Sequence, residues 1–259
     1  MSSQPTKPQS TIKRSEIWYH DGTVVLQAQN TQFRVYFGFL AQHSAFFRDL
    51  QSLPQPLDQP AVDGCPIVEL PDTVTDVEYL LKAVHSPLHY RSPLVGALIR
   101  LGRKYDFQEL FNSAVERLAF ENPTTFEGVD ALLSTSLEYV PKRIIPYSGI
   151  LFDIVTLARE NNILSVLPCA YYRMVIKHTP ERLFDGHPRD DGTIASLALL
   201  DLRRCIVGRD KLMKARFEPG YTLGWLKNWD HGLDCTDAPE LHSGTGRSSA
   251  VLYKLSLDF

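Results

Sequence analysis

The hydrophobic pattern changes from alternation to helical spacing within residues 23–50. Apolar residues alternate with other residues from Val24 and again from Phe33, with a turn-forming pair at Asn30–Thr31. This pattern predicts two strands joined as a hairpin. From Phe39 to Leu50 the apolar positions recur every three or four residues, so the second strand is predicted to lead directly into one amphipathic helix.

Further elements follow a proline-rich loop. Residues 66–72 form a short apolar run typical of a strand, and the next helix is predicted to begin at a capping box of Thr75 and Glu78. Two more helices are expected from Leu94 and Phe107. After Pro123 the pattern predicts helices alone, over residues 126–137, 147–161, 164–178 and 194–217. The predicted fold class is therefore α+β, with an all-helical second half.

One sequence pattern occurs twice in the chain. "LGRKYDFQELF" from Leu101 aligns without a gap with "LARENNILSVL" from Leu157, and the same offset pairs Arg117 with Arg173. A helix–turn–helix design used twice would explain this match. Chance similarity between two amphipathic helix pairs explains it equally well, and a single repeat does not indicate a solenoid.

Composition and charge exclude several classes of protein. The 259 residues include 27 Lys and Arg against 30 Asp and Glu, so no basic face for nucleic acid is expected. Four widely spaced cysteines form no C-x-x-C pair, which favours a reducing compartment. The polar start of the chain lacks the apolar core of a secretion signal, and no apolar run approaches the ~20 residues of a membrane helix. We expect an intracellular protein of the cytoplasm or nucleus, bound to neither membrane nor nucleic acid.

Catalytic and metal-binding motifs are absent from the sequence. It contains no G-x-S-x-G, H-E-x-x-H or G-x-x-x-x-G-K-[ST]. His231, Cys235 and His242 are too irregularly spaced for structural zinc, and we interpret them as loop residues. Cys65 is expected to be a small buried residue, and His85 to lie in a solvent-facing turn. The expectation is no enzyme, no cofactor and no metal.

The residues from Asp21 to about Asn122 resemble the BTB/POZ domain, in the form common in mushroom-forming fungi, the basidiomycetes. The resemblance depends most on one motif, Phe33, Val35, Leu40, Ser44, Phe47 and Leu50. It implies a BTB/POZ fold of short strands with a cluster of helices over residues 15–122. It also implies a helical extension over 123–229. Polar composition, rather than the resemblance, predicts a disordered start over 1–14 and a loop-rich tail over 230–259.

Two positions depart from the BTB pattern. Tyr36 and Phe37 stand where the family has a histidine and a basic residue. In the BTB domains of zinc-finger repressors, that basic residue and an aspartate line a charged pocket. Counting without gaps places Thr23 at the aspartate position, and Asp21 replaces it only if the alignment shifts. No zinc fingers or kelch repeats follow the domain.

The resemblance implies a homodimer formed by the first helix and the segment before the first strand. Candidate interface residues are Trp18, Tyr19, Phe39 and Phe46, whereas Leu40 and Phe47 are expected in the core. For Trp18, interface and core are equally compatible with the sequence. The implied function is a non-enzymatic module that self-associates and recruits a partner protein. The partner first suggested is a cullin, for which this chain would be the substrate adaptor of a ubiquitin ligase. A transcriptional or scaffolding regulator without that ligase role is the alternative.

Overall fold

A computed structural model describes residues 11–54, 58–85, 93–132, 139 and 141–218. The chain divides into two compact units, unit 1 (Met1–Val115) and unit 2 (Glu116–Phe259). Strands and helices are both present, which confirms the α+β class. Within the described ranges, no helix has the length and apolarity needed to cross a bilayer.

Unit 1 contains a five-stranded sheet with the predicted hairpin at its centre. In sheet order the strands are β1 (Lys13–Trp18), β3 (Thr31–Val35), β2 (Val24–Ala28), β5 (Cys65–Leu70) and β4 (Ala61–Val62). Strands β2 and β3 are antiparallel, with Val24 opposite Val35, which confirms the hairpin. Strand β1 is parallel to β3, and β5 is parallel to β2. Strand β1 therefore forms one edge of the sheet.

The helices of unit 1 correct the prediction of one helix after the hairpin. They are α1 (Phe37–His43), α2 (Ala45–Ser52), α3 (Val74–His85), α4 (Pro93–Lys104) and α5 (Gln108–Glu121), which continues past the boundary of the unit. The chain leaves helical geometry at Ser44, where φ is −138° and ψ is 124°. Two short helices therefore stand where the periodicity predicted a single one.

The start of α3 differs from the predicted capping box. Thr73, two residues before Thr75, accepts a hydrogen bond from the backbone of Asp76 at 3.2 Å. Glu78 forms an ion pair with Lys82 one turn later. The segment contains two overlapping Thr-x-x-acid patterns, and the first of them begins the helix.

Unit 2 contains two short strands, which corrects the prediction that the second half of the chain is all-helical. Its elements are α6 (Phe126–Asp130), α7 (Ile150–Glu160), α8 (Leu167–Lys177), α9 (Pro180–Asp185), strands β6 (His187–Pro188) and β7 (Ile194–Ala195), and α10 (Leu199–Arg216). A 3-10 turn over Leu164–Val166 precedes α8. The helix expected over residues 194–217 thus begins only at Leu199. Residues 133–137 of the helix expected over 126–137 lie outside the described residues.

Local side-chain chemistry explains the unexpected hairpin β6–β7. Asp191 accepts hydrogen bonds from the backbone and hydroxyl of Thr193 at 2.9 and 2.6 Å. Gly192 between them has φ 82°, a value that glycine tolerates best. Such short-range bonds compete with helical ones, so this segment forms a turn.

The repeated sequence pattern corresponds to a repeated backbone turn. In each copy a left-handed residue follows the helix, Asp106 at φ 53° and Asn162 at φ 56°. Aspartate and asparagine tolerate this conformation better than most residues. The flanking backbone bonds also match: they run from Tyr105 to Leu101, Phe107 to Gly102, Asn161 to Leu157 and Ile163 to Ala158, at 2.8–3.1 Å. The two copies therefore share local geometry as well as sequence.

Candidate interaction site

Ser44 connects the break between α1 and α2 to a distant part of unit 1. Its side chain accepts a hydrogen bond from the backbone of Phe47 at 3.0 Å, which caps α2. Its hydroxyl donates to the carbonyl oxygen of Tyr105 at 2.5 Å. Ser44 is buried, so both bonds are made away from solvent. This single side chain fixes the direction of α2 relative to the α4–α5 turn.

The other residues of the BTB-like motif are also buried, with one exception. Phe33, Val35, Leu40 and Phe47 are all completely buried. The core positions predicted for Leu40 and Phe47 are therefore confirmed. Leu50 is only half-buried, because it lies near the end of α2.

Five half-buried rings form a continuous row on unit 1, which we call the aromatic ladder: Tyr36, Tyr19, His85, Phe39 and His43. Successive ring centroids along this row lie 5.2, 5.1, 4.9 and 4.9 Å apart. The rings come from the segment after β1, from α1 together with the residue that precedes it, and from the last turn of α3. Such spacings are favourable for aromatic pairs.

Tyr36, at one end of the ladder, forms a hydrogen bond with an acidic residue. The Tyr36 hydroxyl donates to Asp21 at 2.6 Å. This bond lowers the pKa of the Asp21 carboxyl and raises the pKa of Tyr36. At the position of the repressor-type charged pocket, Thr23 instead accepts a hydrogen bond from the backbone of Phe37 at 2.9 Å. Tyr36 and Asp21 therefore form a polar contact at one end of the aromatic ladder.

His85 lies in the middle of the ladder, which corrects its prediction as a solvent-facing turn residue. It is the last residue of α3, and its ring stacks on Phe39 with an interplanar angle of 19°. Its Nε2 atom is buried and has no hydrogen-bond partner among the described residues. Burial lowers the pKa of His85. A neutral imidazole at this position behaves as a further aromatic ring.

The structure brings together only part of the predicted interface. Tyr19 and Phe39 both contact His85 in the ladder. Trp18 instead lies beneath the guanidinium of Arg14, 4.4 Å from the ring centroid. Phe46 is exposed on α2 and packs against Tyr105, with ring centroids 5.0 Å apart.

Ser148 and His187 are the described pair closest in composition to a catalytic dyad. Ser148 Oγ lies 3.1 Å from His187 Nε2 and donates to the carbonyl oxygen of Pro188 at 3.1 Å. The single hydroxyl proton is used in the bond to Pro188, so the proton in the other bond must come from His187 Nε2, which donates to Ser148 Oγ. His187 Nδ1 has no partner among the described residues. In a serine triad Nε2 accepts the serine proton and a carboxylate holds Nδ1–H, and the described contacts of this pair provide neither.

Two buried carboxylates of unit 2 also have structural partners. Asp201 accepts hydrogen bonds from Arg159 at 2.6 Å and from Tyr171. Glu121 accepts from backbone N–H groups of residues 142–144, including Lys142 at 2.9 Å. Both carboxylates join segments that are distant in sequence, which is the usual way to compensate a buried charge.

The thiols and candidate metal ligands add no reactive centre within the described part of the chain. Cys65, Cys169 and Cys205 are buried and free, and Cys65 donates to the Gly22 carbonyl oxygen at 3.1 Å. Burial raises the pKa of Cys169 to about 11 and that of Cys205 to about 12. No group of three or more ligating side chains occurs there. The predicted loop residues His231, Cys235 and His242 lie outside the described residues.

No family model matches the chain, and no curated protein matches it.

Proposed function

We propose that this chain is a non-enzymatic protein–protein interaction module of the BTB type, which forms a homodimer and recruits a further protein. The observation that carries the proposal is the aromatic ladder on unit 1. Aromatic residues are enriched at protein interfaces, because they bury a large area at a small entropic cost. A row of five half-buried rings is therefore suited to contact with another chain.

The BTB assignment is supported by the positions of the residues on which the resemblance depends. Four apolar members of the motif are completely buried, although they come from β3, α1 and α2. Ser44 is buried as well and makes two hydrogen bonds. The serine of the motif thus has a specific structural role in this chain.

Self-association is supported by the strand that precedes the ladder. Strand β1 lies at an edge of the sheet, and Tyr19 of the ladder follows its last residue, Trp18. An edge strand of six residues presents backbone groups with which another chain can pair. In a two-fold dimer the same surface occurs on both partners, so edge and ladder would form one isologous interface.

The dimer is tested by light scattering on the full chain and on a Phe39→Glu variant. The wild-type chain is expected to have twice the 29.3 kDa monomer mass at micromolar concentration. A carboxylate in the middle of the ladder would be desolvated without a partner, so Phe39→Glu is expected to weaken dimerisation by at least about tenfold.

Phe184→Glu is the matched control, because Phe184 is an exposed phenylalanine on α9 in unit 2. This control is expected to remain a dimer. Near-UV circular dichroism establishes that both variants are folded. A Phe39→Glu variant that is folded and dimerises like the control would exclude the ladder as the interface.

The partner class implied by the BTB resemblance is a cullin, with this chain as the substrate adaptor of a ubiquitin ligase. Affinity purification of the full chain from cells, followed by mass spectrometry, tests this part of the proposal. A cullin is expected among the recovered proteins. If the protein dimerises and no cullin is recovered, the adaptor role is wrong and the interaction module stands.

A further inference from the structure

One side of α10 is exposed, basic and partly apolar. The residues of α10 that face the core of unit 2 include Cys205, Gly208 and Leu212. On another side of the helix, Leu200 and Val207 lie two turns apart and are 50% and 47% exposed. The exposed cations Arg203, Lys211 and Lys214 flank this apolar pair, and we call these five residues the α10 seam.

The charge of the seam is not balanced by α10 itself. The helix contains six basic residues and only two acidic ones. Asp201 is buried and pairs with Arg159, while Asp210 pairs with Lys214 at 2.6 Å. Arg203 and Lys211 therefore extend a positive field over two exposed aliphatic side chains. A segment that combines acidic and large apolar residues would complement this surface.

We propose that the α10 seam binds an acidic, tryptophan-containing segment of the same chain, residues 225–240. This segment reads "WLKNWDHGLDCTDAPE". It contains four carboxylates and a single lysine, and from residue 228 to residue 246 the chain contains no Lys or Arg. Trp225 and Trp229 supply apolar area to cover Leu200 and Val207, and the carboxylates match the flanking cations.

The length of the chain permits this contact within one molecule. Helix α10 has 18 residues, which corresponds to about 27 Å. The described chain continues to Glu218, and residues 219–229 can span at most about 36 Å when extended. Residues 225–240 can therefore reach the seam while the chain reverses direction. Any other partner that binds the seam must compete with this segment. Such a partner would therefore also present acidic and large apolar residues.

The proposal is tested by acrylamide quenching of tryptophan fluorescence in the full chain, with Trp18→Phe as background. Trp225 and Trp229 are then the only sources of tryptophan fluorescence. Acrylamide is neutral, so its access to them does not depend on the charge of the protein. The double change Arg203→Glu and Lys211→Glu is expected to raise the quenching constant about twofold, since it replaces attraction by repulsion. Adding Asp230→Lys and Asp234→Lys to that variant is expected to restore the original constant.

The control variant Lys142→Glu with Lys177→Glu makes the same change in net charge at exposed positions of unit 2 outside the seam. It is expected to quench like the background. Identical quenching in all four proteins would overturn the proposal, and so would protection that increases with protein concentration, which would indicate binding between two copies. Far-UV circular dichroism verifies that α10 is folded in each variant, and restoration by the charge exchange shows that attraction, not helix stability, sets the quenching.

Discussion

At the scale of residues, His178 shows how burial couples a single side chain to pH. It lies at the end of α8, with its ring 5.2 Å from that of Phe152 and 5.5 Å from that of His187. Burial, with smaller effects of His187, Lys177 and Arg182, lowers its pKa to about 4. The unfolded chain has a histidine pKa of about 6.5, so it binds a proton more readily than the folded chain.

The stability that depends on His178 is therefore complete above about pH 6.5 and is lost as the pH falls towards 4. We expect His178 to account for a loss on the order of 1–2 kcal/mol between pH 7.5 and pH 4.5, after allowance for its partial exposure. Urea unfolding at the two pH values measures this loss. His178→Gln should reduce the difference, whereas His20→Gln, at an exposed position, should not. Equal pH dependence in all three proteins would contradict the account.

At the scale of elements, the sequence predicted those helices and strands whose formation depends on residues close together in the chain. The hairpin β2–β3 followed from alternation around Val24 and Phe33, because each strand has a buried face. The break at Ser44 was not predicted, because helical spacing of apolar residues continues across it. At this break the Ser44 hydroxyl bonds to the carbonyl oxygen of Tyr105, 61 residues away in sequence, and local periodicity does not encode such a contact. The hairpin β6–β7 was not predicted, because its strands have only two residues each and the helix expected over 194–217 included β7.

Ser44→Ala tests the importance of that break. It removes the cap of α2 and leaves the Tyr105 carbonyl without the hydroxyl donor, so we expect a loss of about 1–3 kcal/mol in the free energy of unfolding. Ser52→Ala is the control, since the Ser52 hydroxyl donates to the Asp49 carbonyl oxygen at an exposed site. Chemical denaturation should show less than about 0.5 kcal/mol for the control. A similarly small loss for Ser44→Ala would mean that the buried bonds do not stabilise unit 1.

At the scale of the whole molecule, function depends on surfaces that sequence patterns specify only in part. The BTB resemblance indicated Tyr19 and Phe39 as interface candidates, because it implied a dimer formed by the first helix and the segment before the first strand. It did not indicate Tyr36, His43 or His85, since these rings meet the others only after α1, α3 and the segment after β1 have packed. A ladder assembled from three elements has no local sequence signature. Its discovery required the tertiary structure.

The central claim is that unit 1 pairs with a second copy of itself through the aromatic ladder. The most direct measurement is the mass of the full chain in solution, determined by light scattering across micromolar concentrations. Pairing through the ladder predicts twice the 29.3 kDa mass of the monomer for the wild-type chain and a shift towards the monomer for Phe39→Glu. A wild-type chain that remains a monomer throughout this range would contradict it.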